Sequence, residues 1–153
     1  MKRALIPAAL VAAGVLAFAV VNATAGSSRK FEGGTIHVIE HATSDAVTNG
    51  TASDSAGNVL TFANDVFDSA DAKKVGTDQG YCIRIVVGKT WECNWTTFLA
   101  RGQITVEGPF YDTHDSVLAV TGGTGAYANV RGSMELKSRS GGTEYDFIFH
   151  LVG

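Results

Sequence analysis

Glu40 sits where a strand would carry it into an apolar interior. Along Ile36-His37-Val38-Ile39-Glu40-His41 the alternation of a strand places Ile36, Val38 and Glu40 on one face and His37, Ile39 and His41 on the other. If Ile36 and Val38 face the core, so does Glu40. An isolated carboxylate there costs several kcal/mol, in order of magnitude, unless it is paired, so the position demands a partner or a function. Arg84, two residues from Cys82 and on its face, is the natural inward partner.

The two cysteines pose a question of register. Cys82 and Cys93 lie on strands joined near Gly88. A four-residue connection from Val86 to Lys89 sets them opposite each other, within bonding reach. A two-residue Gly88-Lys89 turn sets Cys82 opposite Trp95 and leaves the cysteines diagonal, about 7 Å or more apart. Bridged, Cys82 has no thiol to offer.

Other candidate chemistry is thin. His37, His41, His114 and His150 lack metal-ligand spacing, and a solvated outer face accounts for the His37/His41 pair, so no metal is expected. Ser116 has neither a nucleophile elbow nor a base beside it. Val120-Thr121-Gly122-Gly123-Thr124-Gly125 comes after a strand as a dinucleotide loop would, but the residues beyond Gly125 read as strand, and no Gly-Lys-Ser/Thr occurs. These glycines read as an elbow that turns the chain back into a wall of sheet, and no cofactor is implied. Trp91, Trp95, Phe98, Tyr145, Phe147 and Phe149 fit either an apolar pocket or plain core.

The elements that must position these residues are strands. Short runs of alternating apolar and polar residues recur with turn chemistry between them, and after the first 25 residues no window holds a clean helical period. The alternation predicts eight strands, at about Thr35 to His41, Asn58 to Phe67, Gly80 to Val87, Trp91 to Leu99, Gln103 to Glu107, Val117 to Thr121, Arg131 to Ser138 and Thr143 to Leu151. Turns fall at Asn49-Gly50, Gly88-Lys89, Arg101-Gly102 and Gly141-Gly142. Ala42 to Ala56 and Asp68 to Thr77, rich in Ser, Asp, Thr and Gly, read as mobile loops. Eight short strands must hide their edges, which an antiparallel β-barrel does, although a β-sandwich fits the pattern alone.

Residues 1–25 read as an export signal: Lys2 and Arg3, an apolar stretch from Ala4 to Val21, then Ala23-Thr24-Ala25 as cleavage site. An uncleaved membrane anchor is the alternative reading. Residues 26–153 then form one secreted domain, periplasmic or extracellular, with no stable membrane insertion. Without Lys2 and Arg3, 10 basic residues stand against 15 acidic, a net charge of −5. No basic stripe interleaved with aromatics is present, so nucleic-acid binding lacks its electrostatic footprint. Export and an even cysteine count favour a Cys82–Cys93 disulfide.

The run Ile104 to Tyr127, ITVEGPFYDTHDSVLAVTGGTGAY, joins strand, polar turn, apolar strand and glycine elbow in fixed order. In Gly108-Pro109-Phe110, Asp115-Ser116, Leu118-Ala119-Val120-Thr121 and Gly122-Gly123-x-Gly125 with Tyr127, it resembles the C-terminal half of the plant allene oxide cyclases and, more distantly, dirigent proteins. The likeness extends upstream through Ile36 to Glu40, Asn64-Asp65-Val66-Phe67 and Gly80-Tyr81-Cys82-Ile83. It implies an eight-stranded antiparallel barrel assembled as a trimer. The position matching Glu40 carries the family's catalytic glutamate, which stabilises the delocalised cation as the epoxide of a fatty-acid allene oxide opens and closes to a cyclopentenone. Cys82 matches a cysteine that shapes the substrate's conformation. Two departures stand out. Ala42 replaces the family's Asn, and no Pro lies between Pro7 and Pro109, so the side of the site that holds water on the epoxide oxygen is missing or rebuilt.

Three functions are expected from these readings. One is a cyclase or isomerase acting on a hydrophobic small molecule inside the barrel, with Glu40 and, if unbridged, Cys82 as catalytic residues and Val38, Arg84, Trp95 and Phe147 binding the ligand. The second is a dirigent-like binding barrel without catalysis. The third is a structural secreted barrel with a filled interior.

Overall fold

The structure, a computed structural model, describes residues 31–153. The leader and the cleavage site before Gly26 lie outside the described residues. Nine strands form in chain order: β1 (Gly33–His41), β2 (Ala46–Asn49), β3 (Val59–Asp68), β4 (Lys74–Val86), β5 (Thr90–Leu99), β6 (Gly102–Tyr111), β7 (Ser116–Gly123), β8 (Arg131–Arg139) and β9 (Glu144–Val152). A single 3-10 turn at Gly125–Tyr127 is the only helical element among the described residues.

The sheet runs β1-β9-β8-β7-β6-β5-β4-β3, and β1 closes onto the second half of β3 in the register Val38 to Asp68 through His41 to Asp65. Every pairing is antiparallel, so the eight long strands make the closed barrel and leave no edge to aggregate. Two segments expected as loops turn out partly as strand. β2 emerges from Ala42 to Ala56 and pairs with the first half of β3, in line beyond β1. β4 begins at Lys74 rather than Gly80 because its early residues, short and polar as they are, pair with β3 from Phe67 back to Asn64. Backbone pairing with an already ordered neighbour outweighs the weak intrinsic preference of Gly76, Thr77 and Asp78.

Alternation decides what faces inward. Val38, Val66, Trp95, Ile104, Val106, Leu118, Met134, Phe147, Phe149 and Leu151 fill the barrel, each nearly or fully buried. Two glycines act through space. A Cβ on Gly80 would lie 2.3 Å from that of Trp95, its partner across β4 and β5, so glycine leaves the room that the indole takes. Gly125, at φ +61, backs onto the Arg101 carbonyl at 2.5 Å from where a Cβ would stand, which is the elbow role expected of the glycine run.

The register across the β4–β5 hairpin is the one that sets Cys82 opposite Cys93, and the two are bridged, with Cα atoms 4.0 Å apart. An irregularity between Arg84 and Val86 shifts the ladder by one residue just before the turn.

Candidate functional site

Four rungs of the β4–β5 ladder run down one wall of the barrel: Arg84 opposite Trp91, Cys82 opposite Cys93, Gly80 opposite Trp95, and Asp78 opposite Thr97. The inward residues of this ladder lead from a charged cluster at the mouth, past the disulfide and an indole, to a buried acid.

At the mouth, Arg84 is held by two acids. Its Nη1 donates to Asp112 Oδ2 at 2.7 Å, and its Nε lies 2.6 Å from Asp54 Oδ1 as an ion pair outside hydrogen-bonding alignment. The guanidinium also stacks 3.9 Å over the Trp91 ring, whose Nε1 donates to Asp112 Oδ1. Arg84 is therefore not the partner of Glu40 that the sequence suggested. The turn segments bearing Asp54 and Asp112 come closer to it than β1 does.

Glu40 does point inward and is 5% exposed. Its Oε1 accepts from Asn64 Nδ2 at 2.8 Å, and the same amide nitrogen donates to Asp45 Oδ1 at 2.7 Å. The amide's orientation is fixed by its other end, because Asn64 Oδ1 accepts from the backbone N–H groups of Thr43 and Ser44. Asn64 thus ties the turn after β1 to the carboxyl. It brings to Glu40, from β3, the amide that Ala42, just after β1, cannot supply.

The second partner of Glu40 is Asp78, 2% exposed, whose Oδ1 accepts from the Asn64 backbone N–H at 3.2 Å. Asp78 Oδ2 is buried and meets no donor among protein groups. The Glu40 and Asp78 carboxyls are neighbours, and the charge of Asp78 raises the proton affinity of Glu40. A proton held by one of these two buried acids would answer both the orphaned Asp78 oxygen and the like charge. Burial, then the Asp78 charge, pushes Glu40 well above the usual carboxylate range. Burial also pushes Asp78 up, to about 7. Glu40 therefore keeps its proton to higher pH than a solvated carboxylate would, and the pair favours one shared proton over two negative charges.

Above the pair lies a cavity of about 130 Å³. Its wall carries six aromatic side chains, Phe62, Trp91, Trp95, Phe110, Tyr145 and Phe147, with Leu60, Leu136 and both bridged cysteines. Glu40 reaches it from the interior, and exposed Asp45 stands at its rim. The Trp95 Nε1 group is buried with no acceptor. Among the residues expected to bind a ligand, Trp95 and Phe147 line the cavity, whereas Val38 lies in the packed core and Arg84 in the mouth cluster. Phe149 is core, and Phe98 lies on the face opposite Thr97. Cys82 lines the cavity as half of a disulfide, which removes the free-thiol role.

The outer face of β1 is less solvated than expected. His37 Nε2 lies 2.7 Å from an Asp146 carboxylate oxygen, and His41 Nε2 lies 2.8 Å from one of Asp71 while its ring stacks on Phe67. His41, Asp71 and Glu144 come close enough to share a cation, but Arg139 Nη1 already lies 3.9 Å from Asp71.

Over residues 38–153 the sequence matches the family model described as allene oxide cyclase. The chain belongs to the allene oxide cyclase family. Solved structures agree on the fold. A pyocyanin demethylase is 24% identical, with a TM-score of 0.63 over 77% of this chain and 99% of its own. A pterocarpan synthase dirigent protein is 22% identical, with a TM-score of 0.61 over 82% and 99%. An exo-specific intermolecular Diels-Alderase is 14% identical, with a TM-score of 0.64 over 78% and 97%. What this allene oxide cyclase family member shares with them at that distance is the barrel. Its own interior carries the Glu40–Asp78 pair and the aromatic cavity.

Sequence reading missed Asp78, Asn64 and Asp45. The signal was present for two of them. Counting back by twos from Cys82 through Gly80 reaches Asp78, and Asn64 keeps phase with Phe62 and Val66 on β3. Asp45 emerges from no periodicity, since it lies in the turn between β1 and β2.

Proposed function

We propose that the barrel binds a small unsaturated molecule in this cavity and isomerises or cyclises it by acid/base chemistry, with Glu40 as the catalytic residue. The observation that carries this reading is a buried pair of carboxyls, Glu40 and Asp78, with Glu40 reaching the wall of a cavity lined mainly by aromatic and apolar side chains. Burying two acids together costs stability, and a fold that needed only packing would place apolar side chains there. Glu40 donates its proton to an epoxide or carbonyl oxygen, or to an unsaturated carbon, of the bound molecule. The pair is then left with two negative charges facing a centre that has become positive, the arrangement that lowers the barrier for a cationic transition state. Ring closure or migration of a double bond comes next, and a proton returns to the pair, from the oxygen where the oxygen took it or from a neighbouring carbon where a carbon did. Atoms and electrons balance without an oxidant or reductant.

The aromatic walls hold the substrate in one conformation, which converts part of the entropic barrier into binding. The test is ring formation from a conjugated allene oxide, with the product's enantiomeric composition read by chiral chromatography. Glu40→Gln keeps size and hydrogen bonding, so the reading expects turnover to fall with affinity little changed. A binding-only, dirigent-like barrel is the second reading, favoured by the family's structural breadth. It expects Glu40→Gln to leave the product distribution intact, and wild-type protein that gives the same racemic product as buffer would remove the cyclase reading.

We also infer export and self-association. The Cys82–Cys93 bridge suits an oxidising compartment, and among the described residues no helix is long and apolar enough to cross a membrane. N-terminal sequencing of exported protein should read from Gly26. Tyr81, Ile83 and Ile85 on the outer face of β4 are 47%, 38% and 54% exposed, a strip that assembly as a trimer would cover. Sedimentation of an Ile83→Lys, Ile85→Lys variant should show smaller particles than the unaltered protein.

A further inference from the structure

The cavity wall combines acids with aromatic rings and holds no base. Among its lining residues Glu40 and Asp45 carry carboxyl groups, and no Lys, Arg or His is present. Asp78 stands behind Glu40 and adds the pair's negative charge. The nearest base along the ladder, Arg84, is matched by two acids, so the mouth cluster is itself net negative. The Tyr145 phenol in the wall is pushed up by burial and then by the charges of Asp45, Glu40 and Asp112, in keeping with the acidic lining. An anion entering here would meet repulsion from each of these sides.

Aromatic faces act in the same direction. Each ring presents the negative face of its quadrupole to a partner lying over it, and a cation held there gains more as it is desolvated. Trp91 already accepts the Arg84 guanidinium in this way at 3.9 Å. Size sets a further limit. At about 130 Å³ the cavity is near the roughly 150 Å³ that admits a benzene ring, so it takes one ring and leaves larger substituents outside.

Resting on the small-molecule reading above, we infer that the cavity recognises a planar organic cation, a single ring bearing a quaternary or protonated nitrogen, with the ring among the aromatic walls and the charge toward Glu40 and Asp45. A neutral ring of the same shape receives only the apolar contribution. A ring bearing a carboxylate is excluded unless that group stays outside. Selectivity of this kind also favours a positive centre that develops during reaction, so ligand class and proposed chemistry draw on one field.

Three probes of nearly one shape decide it: N-methylpyridinium, toluene and benzoate. The protein has two tryptophans, both in the cavity wall, so their indole N–H resonances report occupancy directly. At pH 8 and low salt, N-methylpyridinium should bind about tenfold more tightly than toluene, and benzoate more weakly than either. Asp45→Asn, at the exposed rim, should cut the cation's affinity about threefold and leave that of toluene unchanged. Glu40→Gln should cut the preference further. Equal binding of N-methylpyridinium and toluene, tighter binding of benzoate, or a cation preference that survives both substitutions overturns the inference and leaves a small-molecule cavity standing. If no probe moves either indole resonance at millimolar concentration, the cavity itself is not a binding site and both readings fall.

Discussion

Two polar clusters, one at the barrel mouth around buried Arg84 and one in the interior, sit along one ladder, and their charges are balanced differently. At the mouth, Arg84 lies between Asp54 and Asp112, with a ring beneath it and hydrogen bonds around it. Below the disulfide, Glu40 and Asp78 lie together without a paired base, held by the side-chain amide and the backbone N–H of Asn64. The first cluster is what a fold does with charge it must bury: match it and surround it. The second leaves one buried carboxylate oxygen of Asp78 without a donor, a place that a proton on Glu40 would fill. Two such arrangements a few residues apart show that matched burial was available to this chain, which is why the proposed function is assigned to the unmatched pair.

The widest separation between the clusters should appear in turnover. Glu40→Gln is expected to lower turnover about 10³-fold, within the range of general acid catalysis, while thermal stability holds or rises because a buried acid is gone. Equal loss of both would place Glu40 with the structural cluster. The disulfide between the clusters ranks next. Replacing Cys82 and Cys93 with alanine should cost about 3 kcal/mol in a denaturant titration, the value for closing a short loop, without changing the titration of the acid pair.

Arg84→Met tests the mouth. Breaking a fully buried ion pair costs about 3–5 kcal/mol, and since Asp54 and Asp112 are partly exposed, the expected loss is about 2 kcal/mol. Ligand contacts at Trp95 and Phe147 should persist.

A slope with pH separates the clusters in a different measurement. Both Glu40 and Asp78 are raised in the folded protein, so the native state binds more protons than the unfolded chain from about pH 4 up to the raised values. The pair's contribution is therefore fully present at low pH and lost as pH rises toward 7 and beyond, by about 1.4 kcal/mol per pH unit for each proton in question. Unfolding by denaturant at pH 5 and pH 8 should show it, and Asp78→Asn should flatten the slope. A variant as pH-sensitive as the unaltered protein would mean that the two acids do not share a proton.

Much of this was legible in the residues. The period of two along β1 and β9 put Glu40, Phe147 and Phe149 on the inner face, and all three reach the interior. Turn chemistry at Gly88, Gly102 and Gly141 placed three hairpins. Less legible was the start of β4, where composition argued for a loop and pairing with β3 made strand. That one error hid Asp78, since a residue outside any strand has no face. Arg84 was correctly placed inside yet assigned to the wrong acid, because alternation says which wall a side chain leaves and not which group it meets.

Sequence by itself determined the all-β class, the inward direction of Glu40 and the glycine elbow, because each depends on neighbours a few residues away. Tertiary structure alone decided that Cys82 lies opposite Cys93, that Arg84 meets Asp54 and Asp112, and that Asn64 and Asp78 converge on Glu40. Those contacts depend on strand register and barrel closure between residues 11 to 38 positions apart in the chain. Register is set by the summed fit of all paired residues, and no local pattern contains that sum.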